Sequence, residues 1–420
     1  MFEDVTILIP AFNEERGIEQ ALLSAAPQCG QLIISDNASS DRTAEICREM
    51  AARYPHIEYH RQKENIGNAR NSSFLFSFLK TPYFMFMGAH DYLAPNYVET
   101  LRALLVSQAN AGLVAAEAKP FSRDGVPFAM PPVKKEMLAS ESKFSRVEFI
   151  ARDGLPKYGA FLINGLMRAD IYRECFDTDF PMLGGDILVL AKMAARSRIL
   201  VSQETAYHCE TRIDDSLNKY FQRLMSVSPD RDAIRRERSK YASYMYSIAQ
   251  AAAGGNPLYL RRLIEIRMHL SINYAPFRGS GLADFLGQTL LKLGREKIRK
   301  RYFTAGSDTV LEETLFELRD KKLLDGKRLA LYGAGLHTRR LLSSGILPLE
   351  AFSVIFDDTP GTDSMAGIPV RPTDSAPKHE FDILIISSDT VAEKLCARAK
   401  SWVPKNVEIL SLYPIRFHLL

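Results

Sequence analysis

The sequence predicts an α/β protein in three parts: a doubly wound, mostly parallel sheet, a helical middle region and a smaller Rossmann-like α/β unit. Three observations predict it. Short apolar runs alternate with stretches of helical spacing from Val5 to Asp91. From Ser216 to about Arg301 the pattern is helical, with proline–glycine breaks near Pro229, Gly254 to Pro257 and Pro276 to Gly281. From Gly326 a strand, a tight glycine turn and a helix begin a new alternation. The expected parts are residues 1–215, 216–325 and 326–420.

The elements follow in order. Val5 to Ile9 is a buried strand stopped by Pro10, and Asn13 is placed to cap a helix running to about Ala26. Gln31 to Ser35 is a second strand, closed by Asp36 to Asp41, with a helix behind it carrying Ile46, Cys47, Met50, Ala51 and Tyr54. Ile57 to His60 is short, and Asn65 to Asn71 opens a third helix. Tyr83 to Met87 is almost purely apolar, the pattern of a strand buried on both faces, and it ends in Gly88, Ala89, His90 and Asp91. Beyond it, Gly112 to Ala116 reads as a strand, Phe121 to Ser145 as a flexible acceptor-side loop and Phe161 to Arg168 as a strand. Ile187 to Ala195 reads as a helix and Ile199 to Cys209 as a last strand.

Composition narrows the function. The chain has 420 residues, 46% of them hydrophobic, enough for two or three cores. A net charge of +4 suits an anionic small molecule or anionic lipid and is too weak to argue for nucleic acid. The five cysteines have no metal-type spacing and read as reduced thiols. The chain enters its first strand without a charged leader, and no apolar run reaches the roughly 18 residues of a membrane span. The expectation is a cytoplasmic protein, possible as a peripheral one at the inner membrane.

Three strand-end loops meet at one sheet edge, where open α/β sheets bind ligands: Pro10 to Glu14, Asp36 to Asp41, and His90 with Asp91. Acids alone would repel a phosphate. Acids holding a divalent cation would bind a diphosphate through it, and the cation would neutralise a departing nucleotide. Asp36 is also placed to accept hydrogen bonds from a base or ribose.

The segments ILIPAFNEE, IISDNASSDRT, ENIGNARN and GAHDYLAPNYVE, in that order, resemble the successive motifs of GT-A fold, family 2 inverting glycosyltransferases. The resemblance implies a GT-A (nucleotide-diphospho-sugar transferase-like) domain, a nucleotide-sugar donor (UDP-linked in the first expectation) and usually Mn²⁺ or Mg²⁺. It implies a glycan or lipid-linked acceptor. By position, Pro10, Ala11, Asn13 and Glu14 line the nucleotide, Asp36 contacts the base, Arg70 lies close to the nucleotide and Asp91 binds the metal. The pattern departs from the family at the metal motif, where Gly88 and His90 replace the first two acids of Asp-X-Asp-Asp. A neutral His90 ring nitrogen can ligate a transition metal and would favour Mn²⁺; its plainer role is that of a turn histidine. Asp91 has a plain alternative too, as an Asx turn or helix cap.

The resemblance also makes Asp186, normally the second acid of a Glu-Asp pair, the general base; Gly185 replaces the first acid. Its plain alternative is an N-cap. His208, at the end of the last strand, is implied as a donor-facing or metal-binding histidine, against a purely structural role. Gly88 and Gly185 together motivate a rival class, a non-catalytic GT-A-like binding or assembly protein with an eroded metal site.

Two features lie outside that resemblance. Leu282, Phe285, Leu286, Thr289, Leu290 and Leu293 form one apolar stripe before a basic run from Lys292 to Arg301. It reads first as a core-facing helix with a solvated basic end, and second as an amphipathic surface for anionic lipid. The turn Gly333 to Thr338, with Asp357 and Asp358 following the next strand, resembles the small Rossmann-like modules attached to some sugar-modifying enzymes of bacterial surface polysaccharide pathways. Ligand binding and assembly are both open for it. A nicotinamide-dependent oxidoreductase would rest on this unit alone, and Thr338 stands where a dinucleotide fingerprint wants a small residue.

Overall fold

The computed structural model describes residues 1–123, 125–127, 133–153, 161–176, 184–210, 231–274, 279–293, 311, 314–316, 318–319, 322–378, 380–388 and 391–412. In the N-terminal unit β1 (Phe2–Ala11), β2 (Cys29–Asp36), β3 (Ile57–Arg61) and β4 (Tyr83–Phe86) alternate with α1 (Ile18–Ala25), α2 (Thr43–Arg53) and α3 (Asn68–Phe76). There follow β5 (Tyr92–Leu93), α4 (Tyr97–Ser107), β6 (Ala111–Phe121), α5 (Lys135–Leu138) and α6 (Lys143–Asp153). The unit closes with β7 (Leu166–Arg168), α7 (Ala169–Cys175), α8 (Gly185–Arg196) and β8 (Arg198–Glu210).

These strands form one sheet in the order β3-β2-β1-β4-β7-β6-β8-β5. Strands β1 to β4 pair in parallel, whereas β7 runs antiparallel to both β4 and β6. The apolar runs are continuous because both faces are covered. Ile7, Ile9 and Met85 enter one core cluster, while Leu8, Phe84 and Phe86 enter the other. The strand order reverses between β1 and β4, and open α/β sheets bind ligands beyond the carboxyl ends of the strands at such a point. This is the mixed α/β, GT-A arrangement that the motifs implied.

Three local expectations are corrected. Asn13 does not cap α1; it sits in the left-handed region (φ 55°), and the helix starts four residues later behind Gly17. Phe161 to Asn164 is a 3₁₀ turn, and only Leu166 to Arg168 pair as a strand. The reason is Gly165, which approaches β6 so closely that a Cβ there would lie 2.5 Å from the Val114 carbonyl oxygen. Within the stretch expected to be a loop, Lys135–Leu138 and the start of α6 are helical.

The middle region contains α9 (Arg231–Ala253), α10 (Leu260–Asn273) and α11 (Gly281–Leu293). Tyr241, Met245 and Ala249 of α9 share a hydrophobic cluster with Phe144 of α6 and Leu188 of α8. Arg262 Nε of α10 donates to Glu148 Oε2 of α6 over 2.8 Å. The apolar stripe of α11 does not face a core along its length: Leu282 and Phe285 are 60% and 66% exposed. The buried face is instead made by Ala283, Asp284 and Gly287, with Asp284 paired to the buried Arg267 of α10. Residues 294–301 of the basic run lie outside the described residues. Among the described residues no helix is long and apolar enough to cross a membrane.

The C-terminal unit holds β9 (Leu329–Tyr332), α12 (Leu336–Ser343), β10 (Phe352–Asp357), β11 (Ser364–Met365), β12 (Ile368–Pro372), β13 (Ile383–Ile386), α13 (Ala392–Ala399) and β14 (Glu408–Ser411). Its sheet order is β11-β12-β10-β9-β13-β14. Gly333 needs its left-handed φ of 106° to turn out of β9. The Ala334 N–H then donates to Asp357 Oδ2 over 2.7 Å, so this acid closes the glycine turn. Thr338 is fully buried and donates to the Ser387 hydroxyl over 2.7 Å. A hydroxyl bond thus fills the place a dinucleotide fingerprint leaves small.

Candidate active site

The first two strand-end loops are latched together. The Asn13 N–H donates to Ser39 Oγ over 2.9 Å, and Asn13 Oδ1 accepts the Ser40 N–H over 2.8 Å. The Glu14 N–H donates to Thr43 Oγ1 over 2.8 Å. Ala11 is buried, its carbonyl accepts the Asn37 N–H over 2.8 Å, and Pro10 pairs in register with Ser35. The left-handed turn at Asn13 is what points its amide at the second loop, and asparagine tolerates that conformation.

Asp36 ends β2 with no solvent exposure. Its Oδ1 accepts the Ser39 N–H over 2.8 Å, and its Oδ2 accepts the Tyr59 hydroxyl over 2.9 Å and Arg61 Nη1 over 3.1 Å. Burial and the neighbouring carboxylate push the Tyr59 hydroxyl up to about 12, so it stays a neutral donor. The segment after β3 joins the second loop through Asn37, whose Nδ2 donates to Asn65 Oδ1 over 2.8 Å and whose Oδ1 accepts the Ile66 N–H over 2.9 Å. Asn71 pins β2 by donating to the Ser35 carbonyl over 2.9 Å. Arg70, in the first turn of α3, is exposed, with no ion-pair partner among the described residues.

At the end of β4 the chain turns back on itself, with the Asp91 N–H donating to the Gly88 carbonyl over 3.1 Å. Asp91 is only 6% exposed and points inward. Its Oδ2 accepts the Tyr207 hydroxyl over 2.6 Å, and its Oδ1 accepts the Glu210 N–H over 2.9 Å. Tyr207 in turn accepts the Gly88 N–H over 3.1 Å. Burial holds the Asp91 carboxyl above its ordinary range. His90 lies outside this knot, with Nδ1 3.2 Å from Glu14 Oε1 and Nε2 3.7 Å from Asp91 Oδ1.

Of the residues expected to hold a metal, the structure brings His90 and Asp91 together and leaves His208 apart. Successive strand residues face opposite ways, so when Tyr207 turns to Asp91 its neighbour turns away. His208 stacks on Tyr92 at 4.3 Å with the rings 8° apart. Burial, and then Lys119, lower its pKa and keep it neutral. Among the described residues no three Asp, Glu, His or Cys side chains converge on a point that could hold a metal ion. With both Asp91 oxygens engaged and His208 turned away, the described donors do not fit the implied Mn²⁺ or Mg²⁺.

Asp186 stands in the first turn of α8, behind Gly184 in the left-handed conformation (φ 73°). Gly184, not Asp186, is the capping residue; among the described residues Asp186 Oδ1 accepts the adjacent Ile187 N–H over 2.9 Å. The residue is exposed, and desolvation by the surrounding protein pushes its carboxyl above the ordinary range. Tyr172 and Tyr241 lie close enough to feel its charge. An accessible carboxylate that its neighbours partly desolvate is suited to a general base, whose pKa must rise toward its working pH.

Residues 6–173, less than half of the chain, match the family model described as glycosyl transferase family 2. That match covers all four motifs, so it is the N-terminal part of the chain that is similar to family 2 glycosyl transferases. Among curated proteins, a 4,4'-diaponeurosporenoate glycosyltransferase of Staphylococcus haemolyticus is 38% identical over 68 residues, 16% of this chain and 17% of that protein. The glycosyltransferase GlyA of Streptococcus pneumoniae serotype 4 is 28% identical over 109 residues, 25% of this chain and 15% of that one. The chain thus spans only about a sixth of the length of these relatives. Among solved structures, S. aureus TarS 1-349 in complex with UDP-GlcNAc is 13% identical with a TM-score of 0.43, covering 77% of this chain and 92% of that one. A mannosyltransferase of Pyrobaculum calidifontis in complex with GDP-Man and Mn²⁺ is 14% identical with a TM-score of 0.38, covering 72% of this chain and 83% of that one.

Proposed function

We propose that this chain is an inverting glycosyltransferase that moves a sugar from a nucleoside diphosphate sugar, UDP-linked in the first instance, to a hydroxyl of a bacterial surface glycan or lipid-linked acceptor. The observation that carries the reading is the coincidence of the family match with three strand-end loops joined to one another, Asn13 to Ser40 and Glu14 to His90, at the strand-order reversal. In this reading Pro10, Ala11, Asn13 and Glu14 form one wall of the donor pocket. Asp36, held by Tyr59 and Arg61, shapes the seat of the base, and Arg70 and His90 face the phosphates. Asp91 positions the β4 turn. Asp186 takes the proton of the acceptor hydroxyl as its oxygen attacks the anomeric carbon. The bond from that carbon to the diphosphate oxygen breaks, and the nucleoside diphosphate leaves with the electron pair on the opposite face.

Attachment to anionic lipid at the cytoplasmic face goes with this reading, supported by exposed Leu282 and Phe285 on α11 next to a basic stretch of sequence. Gly88 and Gly185, standing where the resembling enzymes carry acids, favour a second reading, a donor-binding protein without turnover. Thermal unfolding with UDP, GDP, CDP and dTDP tests the donor class. A ligand at a hundred times its Kd adds about 2.7 kcal/mol and moves Tm by several degrees. A shift with one nucleotide supports the donor site, and no shift with any of them refutes it. Donor binding with neither transfer nor hydrolysis would select the second reading.

A further inference from the structure

We infer that this site binds its donor diphosphate without a divalent metal, because the turn at the end of β4 is built as a closed polar knot in the place of a metal site. The inference rests on the donor-site reading above and goes beyond it. Its strongest support is Gly88. A Cβ on this residue would lie 2.2 Å from Asp91 Oδ2 and 2.9 Å from Asp91 Cγ. The carboxylate that occupies this space is not a loose side-chain end. Tyr207, itself 1% exposed, holds it over 2.6 Å, and the Glu210 N–H holds its other oxygen. The missing acid at 88 and the inward turn of Asp91 are therefore one feature: an acid there and this Asp91 conformation exclude each other.

The surroundings agree. Gly17 backs the same turn, where a Cβ would lie 2.7 Å from the His90 Cα, so the turn cannot swing toward α1 to open a coordination sphere. His208 points away to stack on Tyr92. A hard divalent cation wants several exposed oxygen ligands, and here the carboxylate that the motif retains has each oxygen already accepting a bond in a buried setting. The charge of a bound diphosphate then falls to the chain's own side chains, and exposed Arg70 is available for it.

The test is calorimetric titration of the full chain with UDP, GDP, CDP and dTDP, in EDTA and again in Mn²⁺, with Mn²⁺ paramagnetic resonance as a second readout. The inference expects the Kd of the nucleotide that binds to differ by less than about threefold between the two conditions. It also expects the free-Mn²⁺ signal to be unattenuated by protein plus nucleotide. A Kd at least about threefold tighter in Mn²⁺, or Mn²⁺ bound in stoichiometric amount, overturns it while leaving the donor site standing. Binding of no nucleotide in either condition overturns the donor reading, and the inference with it.

Discussion

Tyr207→Phe is the most informative perturbation of the β4 turn. The substitution keeps the ring, which is buried against Tyr97, and removes one oxygen. That oxygen donates to a buried carboxylate over 2.6 Å and accepts the Gly88 N–H over 3.1 Å. A hydrogen bond to a charged group contributes about 1.5–3 kcal/mol net, and an orphaned buried donor costs about 1–3 kcal/mol. Gly88 is only partly buried, so water offsets some of the second cost, and about 3 kcal/mol is expected in total. For a unit of this size that lowers Tm by roughly 6–12 °C. Calorimetric unfolding of wild type, Tyr207→Phe, Asp91→Asn and the double variant gives the loss and the coupling, which should exceed about 1 kcal/mol. A Tm fall below about 2 °C, or additive effects in the cycle, would refute the claim that Tyr207 and Asp91 hold the turn as a pair.

Other outcomes follow from the same geometry. Asp186→Asn should leave nucleotide binding unchanged and lower transfer by roughly 10²–10⁴-fold, read from donor turnover. Because the Asp186 carboxyl is raised above its ordinary 3.8, the fold favours its protonated form. Its stabilising contribution is present below the ordinary value and lost as pH rises through the folded one. Asp186→Asn should therefore flatten the stability–pH curve over that window and should not lower stability at neutral pH, as urea midpoints would record. Gly165→Ala brings a methyl to 2.5 Å from the Val114 carbonyl oxygen and should cost about 1–3 kcal/mol by urea unfolding. Phe285→Asp on exposed α11 should change stability by less than about 0.5 kcal/mol yet reduce co-sedimentation with anionic liposomes at low salt.

The fold was legible where burial leaves a local imprint. Val5 to Ile9 and Tyr83 to Met87 read as strands because both faces of β1 and β4 are covered, which makes all but the buried Thr6 apolar or aromatic. Gly165 shows the limit: its approach to β6 is a tertiary contact that turns the predicted strand into a 3₁₀ turn. The site was legible as strand-end motifs but not as a bonding pattern. Asp36 announces itself by position, whereas its partners Tyr59 and Arg61 sit on the next strand with nothing distinctive around them. At the end of β8 the reading settled on His208, the residue with obvious ligand chemistry. Strand alternation brings Tyr207 to Asp91 instead, and no periodicity in one sequence says which face of β8 meets β5. Gly88 could be seen as a departure from the acid pattern; that it makes room for Asp91 needed the three-dimensional contact.

The most direct test of the proposed activity is the anomeric configuration of the first sugar released when water serves as acceptor. The purified chain would be incubated with UDP-sugars and with GDP-, CDP- and dTDP-sugars, and the new anomeric proton followed by NMR before mutarotation. Inverting transfer through Asp186 predicts that an α-linked donor releases the β-anomer first and that Asp186→Asn abolishes the signal. Release of the α-anomer first, undiminished turnover in Asp186→Asn, or no turnover of any donor would contradict it.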